Sequence, residues 1–271
     1  MNVFREPVSG AVIKAKDRDD AAGPGIRIAI LATPRSGTTW LRMLLQSLYH
    51  LSAVAGSFQP HQVDLSCIPR YCVLQTHWGP TEAVQALLEQ FQLRVVTIAR
   101  HPLDVLISHL QWGRHQPLGW PVPQDASPLS PEFLDYARTR AAASFGLTRD
   151  WWQRRDAVRL RYEALVSDGI SELQRAVDEL ALPVAVPVAE ALGANSMGRL
   201  HSENPDHFWQ GRPGLWRTLI PTDTAYSIAD ANRETFEVLS YSCAPDDQLT
   251  KEQAERNWLD LVSPADISPG P

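Results

Sequence analysis

Cysteine is scarce and does not pair: Cys67, Cys72 and Cys243 are the only three in 271 residues. An odd number with no metal-ligand spacing argues against a disulfide framework and for a reducing compartment. Long apolar runs are missing too. No stretch approaches the 18 consecutive apolar residues of a membrane span, and the N-terminal MNVFREPVSGAVIKAKDRDD lacks the continuous apolar region of a secretory signal. The expectation is a cytoplasmic protein without membrane insertion. Positive charge is in deficit, with 25 Lys and Arg against 31 Asp and Glu and a net charge of −6. That argues against broad electrostatic binding to nucleic acid or anionic lipid and leaves room only for a local basic pocket. Internal repeats and low-complexity tracts are absent as well.

What is present reads as a folded, soluble chain, 44% apolar and 21% charged. Residues 1–25, ending in AAGPG, form a leader of mixed charge, Gly and Pro. The domain begins with IRIAILA at 26, a strand-length apolar run, then TPRSGTT, then WLRMLLQSLYHL with helical spacing. YCVLQT (71–76), RVVTIA (94–99) and AVRLRY (157–162) are further short β-branched runs. Helical patterns fall at about 80–91, 102–112, 131–154, 169–181 and 223–239. Alternation of this kind predicts an α/β fold of three layers, a central parallel sheet flanked by helices. Pro183 and Pro187 open a stretch expected to be irregular as far as about 221. A domain spanning 26–244 is followed by a C-terminal extension, 245–271, that carries one peripheral helical pattern. The segment 113–132, with five prolines, reads as a long surface loop rather than a domain boundary.

Chemistry concentrates at four places. Thr33-Pro34-Arg35-Ser36-Gly37-Thr38-Thr39-Trp40 joins the first strand to the first helix. Backbone N–H groups of such a turn and the open helix end form an anion cradle, to which Arg35 adds charge and Ser36, Thr38 and Thr39 add hydroxyls. The loop departs from the NTPase pattern GxxxxGK[ST] at Ala32 and at Thr38, so its cation is Arg35. After the strand 94–99, Arg100 stands at the carboxyl end, where parallel sheets bind ligands, and Ser108 lies eight residues on, two turns into a helix that starts at Pro102. His77 closes the run 71–76, and an imidazole titrating near neutrality suits removal of a hydroxyl proton. Tyr162 ends the run 157–162.

These residues resemble those of the sulfotransferases that use 3′-phosphoadenosine 5′-phosphosulfate (PAPS). Residues 34–40, PRSGTTW, are similar to the family's PKSGTTW 5′-phosphosulfate loop, with Arg35 for its Lys. The Arg100–Ser108 pair resembles the 3′-phosphate clamp. Leu74-Gln75-Thr76-His77 resembles the KTHLP element, with Gln75 for the usual Lys, and Tyr162-Glu163-Ala164-Leu165 resembles YEDL. Asn195-Ser196-Met197 aligns loosely with TSF. Trp209-Gln210-Gly211-Arg212-Pro213-Gly214-Leu215-Trp216 stands where the family has RKGxxGDW, so its Arg-Lys pair is replaced by Trp209 and Gln210 and the nearest cation is Arg212.

The resemblance, over about 26–240, implies a PAPS-dependent sulfotransferase with a P-loop-like three-layer α/β fold. His77 would be the catalytic base, and Arg35 would stand at the oxygen bridging phosphate and sulfate. Arg35, Ser36, Gly37, Thr38, Thr39, Trp40, Arg100, Ser108, Tyr162, Ser196, Gly211 and Arg212 would bind the nucleotide. PAPS is then a co-substrate, no metal is expected, and the sulfuryl group goes to a hydroxyl (or amine) of a small-molecule acceptor such as a phenol, alcohol or sugar. Trp78, Trp112 and Trp120 are candidate acceptor-facing aromatics. Two rivals remain at this point: a P-loop nucleotide kinase or NTPase, and a non-catalytic nucleotide-binding protein on the same fold.

Overall fold

A computed structural model describes residues 25–54, 56–115 and 121–263. Its sheet contains β1 (Ile26–Leu31), β2 (Ser52–Val54), β3 (Tyr71–Thr76), β4 (Arg94–Ala99) and β5 (Ala157–Arg161), in spatial order β2-β3-β1-β4-β5. All pairings are parallel, with Ile26 opposite Tyr71, Ile28 opposite Arg94 and Val95 opposite Ala157. The chain moves from β1 to β3 on one side and to β4 on the other, so the sheet has its topological switch point between β1 and β4. In open parallel sheets, ligands bind at the strand carboxyl ends beside that point.

The period of two decides the layers. Ile28 and Ile30 of β1 pack on one face, with Val73, Val96 and Ile98, against α1 (Thr38–Tyr49) and its Leu41, Leu44 and Leu48. Ala29 and Leu31 turn to the other face, with Cys72, Leu74 and Val95, against Trp151 and against Val84 and Leu88 of α2 (Glu82–Gln90). Those four β1 residues are fully buried, as a central strand covered on both faces requires. Truncating one of the α1 leucines to Ala would cost about 2–5 kcal/mol.

A third core forms under α3 (Pro102–Arg114). The segment expected as one helix over 131–154 is α4 (Pro131–Asp135), a π-helical turn at Tyr136–Arg140, and α5 (Ala141–Trp152). Beyond β5 come α6 (Tyr162–Ser167) and α7 (Gly169–Leu180). The stretch expected to be irregular instead holds α8 (Val188–Ala194) and α9 (Met197–Glu203), which bury Val188, Ala191 and Leu200 in the first core. Each is seven residues long, too short for a periodic signal, and is held by packing rather than propensity. The expected helix at 223–239 breaks at Asn232 into α10 (Thr222–Ala231) and α11 (Arg233–Val238), where the Asn232 side chain donates to Ala137 O and Ile228 O.

Helix α12 (Lys251–Val262), within the stretch read as an extension, buries Trp258 in the third core, and Asn257 Nδ2 donates to Thr218 O at 2.8 Å. The three cysteines are free thiols. Among the described residues no helix is long and apolar enough to cross a membrane, and no group of three or more His, Cys, Asp or Glu is placed to hold a metal ion.

Candidate active site

The β1–α1 connection is held from behind and open in front. Thr33 N–H donates to Thr148 Oγ1 at 2.7 Å and its hydroxyl donates to Ser144 O at 2.8 Å, tying the loop to α5. Ser36 Oγ donates to Thr33 O at 2.7 Å, so this predicted contact closes the turn and its side chain does not line the cavity. Arg35 is left-handed at φ +67 and Gly37 at φ +101. A Cβ at Gly37 would lie 2.5 Å from Tyr162 Cδ2, so conformation and space both demand glycine. Gly37 caps α1 with no side-chain hydrogen bond, so no side chain occupies the open end of the helix there.

A cavity of about 370 Å³ opens here, within the range of small-ligand sites. Of the predicted residues, Arg35, Gly37, Thr38, Thr39 and Trp40 line it from the loop, and His77, Arg100, Ser108, Tyr162 and Gly211 line it from four other segments. Ser196 and Arg212 are exposed and lie outside the lining. Of the three tryptophans, Trp112 lines the cavity, Trp78 is 2% exposed in the core with its indole N–H on Ser57 O, and Trp120 lies outside the described residues.

Two guanidinium groups face the cavity, each stacked on an aromatic ring. Arg35 lies 4.4 Å over Trp112, donates from Nε to Ser108 Oγ at 3.2 Å and from Nη2 to His207 O at 2.9 Å. Arg100 lies 4.5 Å over Tyr162 and donates from Nη1 to Arg35 O at 3.2 Å, while its Nε is buried without a hydrogen-bond partner among the described residues. Ser108 therefore contacts Arg35 here rather than Arg100, although all three share the cavity. Gln75 Nε2 donates to Thr38 Oγ1 at 3.1 Å and Thr39 Oγ1 at 3.4 Å. Those hydroxyls accept from the amide, so their own protons remain for other acceptors.

His77 Nδ1 sits 2.6 Å from Ala32 O. A carbonyl can only accept, so Nδ1 carries the proton and the neutral ring has its lone pair on Nε2. Phe58, 55% exposed, lies with its ring 5.5 Å from the imidazole on the solvent side.

Residues 204–216 cover the cavity. Asp104, 1% exposed, accepts from Gly214 N–H at 2.6 Å and Trp216 N–H at 3.1 Å, and Tyr162 Oη donates to Gly211 O at 2.7 Å. Trp209 packs edge-on against Trp258 at 6.2 Å. His207 touches Trp112 and Phe208, and burial, followed by the charges of Arg35 and Arg42, pushes its pKa down to about 3. Trp40 donates to Asn195 O at 2.9 Å and meets Tyr162 edge-on at 5.9 Å.

Sequence reasoning missed Asp104, Phe58 and His207. Asp104 had a signal, an acid in the first turn of α3 inside the Arg100 motif. His207 and Phe58 lie in segments without periodicity and had none.

The sequence matches no family model and no curated protein. The fold does match solved structures. Mouse sulfotransferase SULT7A1 complexed with PAP aligns with a TM-score of 0.65 at 17% identity, over 78% of this chain and 84% of the other. Retinol dehydratase in complex with androsterone and inactive cofactor PAP aligns at 0.56 and 14%, over 79% and 82%. The same enzyme with retinol and PAP gives the same score and identity. This chain thus has the fold of the PAP-bound sulfotransferases.

Proposed function

We propose that the protein transfers a sulfuryl group from PAPS to the hydroxyl of a small-molecule acceptor. The observation that carries this reading is the meeting of His77, with its basic Nε2, and the Arg35 loop in one cavity with Arg100. A nucleotide-binding scaffold has no need of a base at that point, and an NTPase needs a loop lysine; lysine occurs in this chain only at 14, 16 and 251. The relatives in fold were complexed with PAP, the desulfated product of the donor, and that supports the same ligand here.

The residues fit a nucleotide carrying two anionic ends. The glycine-dependent loop, with the hydroxyls of Thr38 and Thr39, suits the 5′ phosphosulfate, and the unpartnered Nε of Arg100 suits the 3′-phosphate. Trp40 and Tyr162, which meet edge-on in the cavity wall, would border the adenine. When bound, the donor supplies an activated sulfuryl group on an anhydride oxygen.

The chain's own part is positioning and charge stabilisation. Arg35 leaves its contacts with Ser108 and His207 O to neutralise charge growing on the departing phosphate. With Gln75 where the family has lysine, no second loop cation assists it. His77 Nε2 takes the acceptor proton while Ala32 O holds the opposite edge of the ring. Phe58 and Trp112 flank the approach and favour an acceptor with an apolar or aromatic face. The three free thiols suit a reducing, cytoplasmic setting.

The test is transfer of labelled sulfuryl from PAPS to a panel of phenols, alkyl alcohols and sugars, with and without EDTA. Transfer that survives chelation supports the reading. Hydrolysis of ATP that requires Mg²⁺, with no transfer from PAPS, would support the kinase or NTPase reading instead.

A further inference from the structure

His109 lies on α3 one residue after Ser108, 3% exposed, behind the cradle rather than in the cavity. Both ring nitrogens have defined partners: Nε2 is 3.1 Å from Pro34 O and Nδ1 is 2.9 Å from Tyr136 Oη. The carbonyl can only accept, so Nε2 carries the proton. The neutral ring then has its lone pair on Nδ1, and the tyrosine must donate to it. Burial, reinforced by Arg35 and Arg100, lowers the imidazole to about 3, and burial raises Tyr136 to about 12, so both stay neutral at physiological pH. The chain Tyr136 O–H to Nδ1, then Nε2–H to Pro34 O, therefore runs in one direction only. A lone pair occupied by a buried phenol is not free to act as a catalytic base.

What the imidazole grips is the carbonyl just before Arg35. That residue is left-handed without being glycine, a conformation that persists only where its surroundings over-determine it. Contacts on this residue and the peptide before it include Arg100 Nη1 on Arg35 O, Ser108 Oγ and His207 O on the Arg35 guanidinium, and His109 Nε2–H on Pro34 O. Of these, the last acts on the peptide that sets the Arg35 φ angle.

We propose that His109 is a positioning residue for the anion cradle: its Nε2–H fixes the Pro34 carbonyl, and so the turn that aims Arg35 and the following amides into the cavity, while Tyr136 selects the tautomer. The proposal rests on the donor reading above and assigns His109 to the 5′ end of the nucleotide alone.

The experiment is calorimetric titration of adenosine 3′,5′-bisphosphate and of adenosine 3′-monophosphate into wild type, His109→Leu, His109→Gln and Tyr136→Phe. His109→Leu leaves the Pro34 carbonyl unpaired and should weaken the bisphosphate by about 10- to 100-fold, with the 3′-monophosphate changed less than about 3-fold. His109→Gln, whose amide N–H reaches the same carbonyl without needing a tautomer, should recover most of the loss. Tyr136→Phe should lose bisphosphate affinity selectively, and that variant with His109→Gln decides the matter if the leucine variant does not fold. Equal losses for both nucleotides, or no loss in any folded variant, would overturn the proposal. A wild-type protein that binds neither nucleotide overturns the donor reading itself, before any variant is compared.

Discussion

The two walls of the cavity are built by different means. The cradle at 33–39 is shaped by main chain: two left-handed residues, a helix start without a side-chain cap, and carbonyls held by Arg100 from the cavity and by His109 from behind. The cover at 204–216 hangs on side chains from distant segments, Asp104, Tyr162 and Trp258. A wall made of backbone tolerates few substitutions, because the geometry belongs to glycine and to fixed carbonyls. A wall hung on side chains can exchange its own residues as long as the anchors remain. That difference fits a cradle that resembles the sulfotransferase loop beside a cover whose Trp209 and Gln210 depart from the motif it resembles.

The largest effect that would sharpen the contrast is expected at the cover's far anchor. Trp258→Ala removes a ring that is 2% exposed and should cost about 3–5 kcal/mol in urea denaturation, with nucleotide affinity falling as the cover loosens. Unchanged stability would mean that α12 is not an anchor. Arg100→Ala, on the cradle side, should weaken the 3′-phosphorylated product by about 2–4 kcal/mol and leave adenosine 5′-monophosphate nearly unaffected. Equal losses for both nucleotides would break the assignment of separate ends. Asp104→Asn keeps the shape but leaves one of the two cover amides without an acceptor, so about 1–3 kcal/mol of stability should disappear.

The effect read in the smallest steps is a pH slope. His109 takes up a proton near 6.5 when unfolded but only near 3 when folded. Below pH 6.5 the unfolded state therefore binds more protons, and stability should fall by up to about 1.4 kcal/mol per unit from this group as pH drops toward 3. His109→Gln should reduce that slope, the remainder coming from His207, which burial also holds near 3; thermal melts between pH 7 and 5 would reveal the change, and an unchanged slope would place the titration elsewhere.

How much of this was legible in the sequence follows the same division. β1, β3, β4 and β5 are apolar, β-branched runs bounded by turn residues, and each lies where its pattern put it. β2 is a three-residue edge strand and α8 and α9 have seven residues each, all held by packing that no local window records. The cradle was readable because Arg35 to Trp40 are contiguous. Ser36 was readable as a hydroxyl but not in its direction, since its acceptor, Thr33 O, lies within the turn itself. The hold of Asp104 on Gly214 and Trp216 spans more than a hundred residues and becomes visible only when α3 and the cover are brought together.

The most direct measurement compares single-turnover sulfuryl transfer with product affinity in His77→Ala. On the proposed reading the cradle and Arg100 hold the nucleotide, while His77 serves only the acceptor. The rate should therefore fall by about 10²–10⁴-fold, with affinity for adenosine 3′,5′-bisphosphate unchanged. Native turnover with every acceptor, or a loss of affinity matching the loss of rate, would contradict that division of labour.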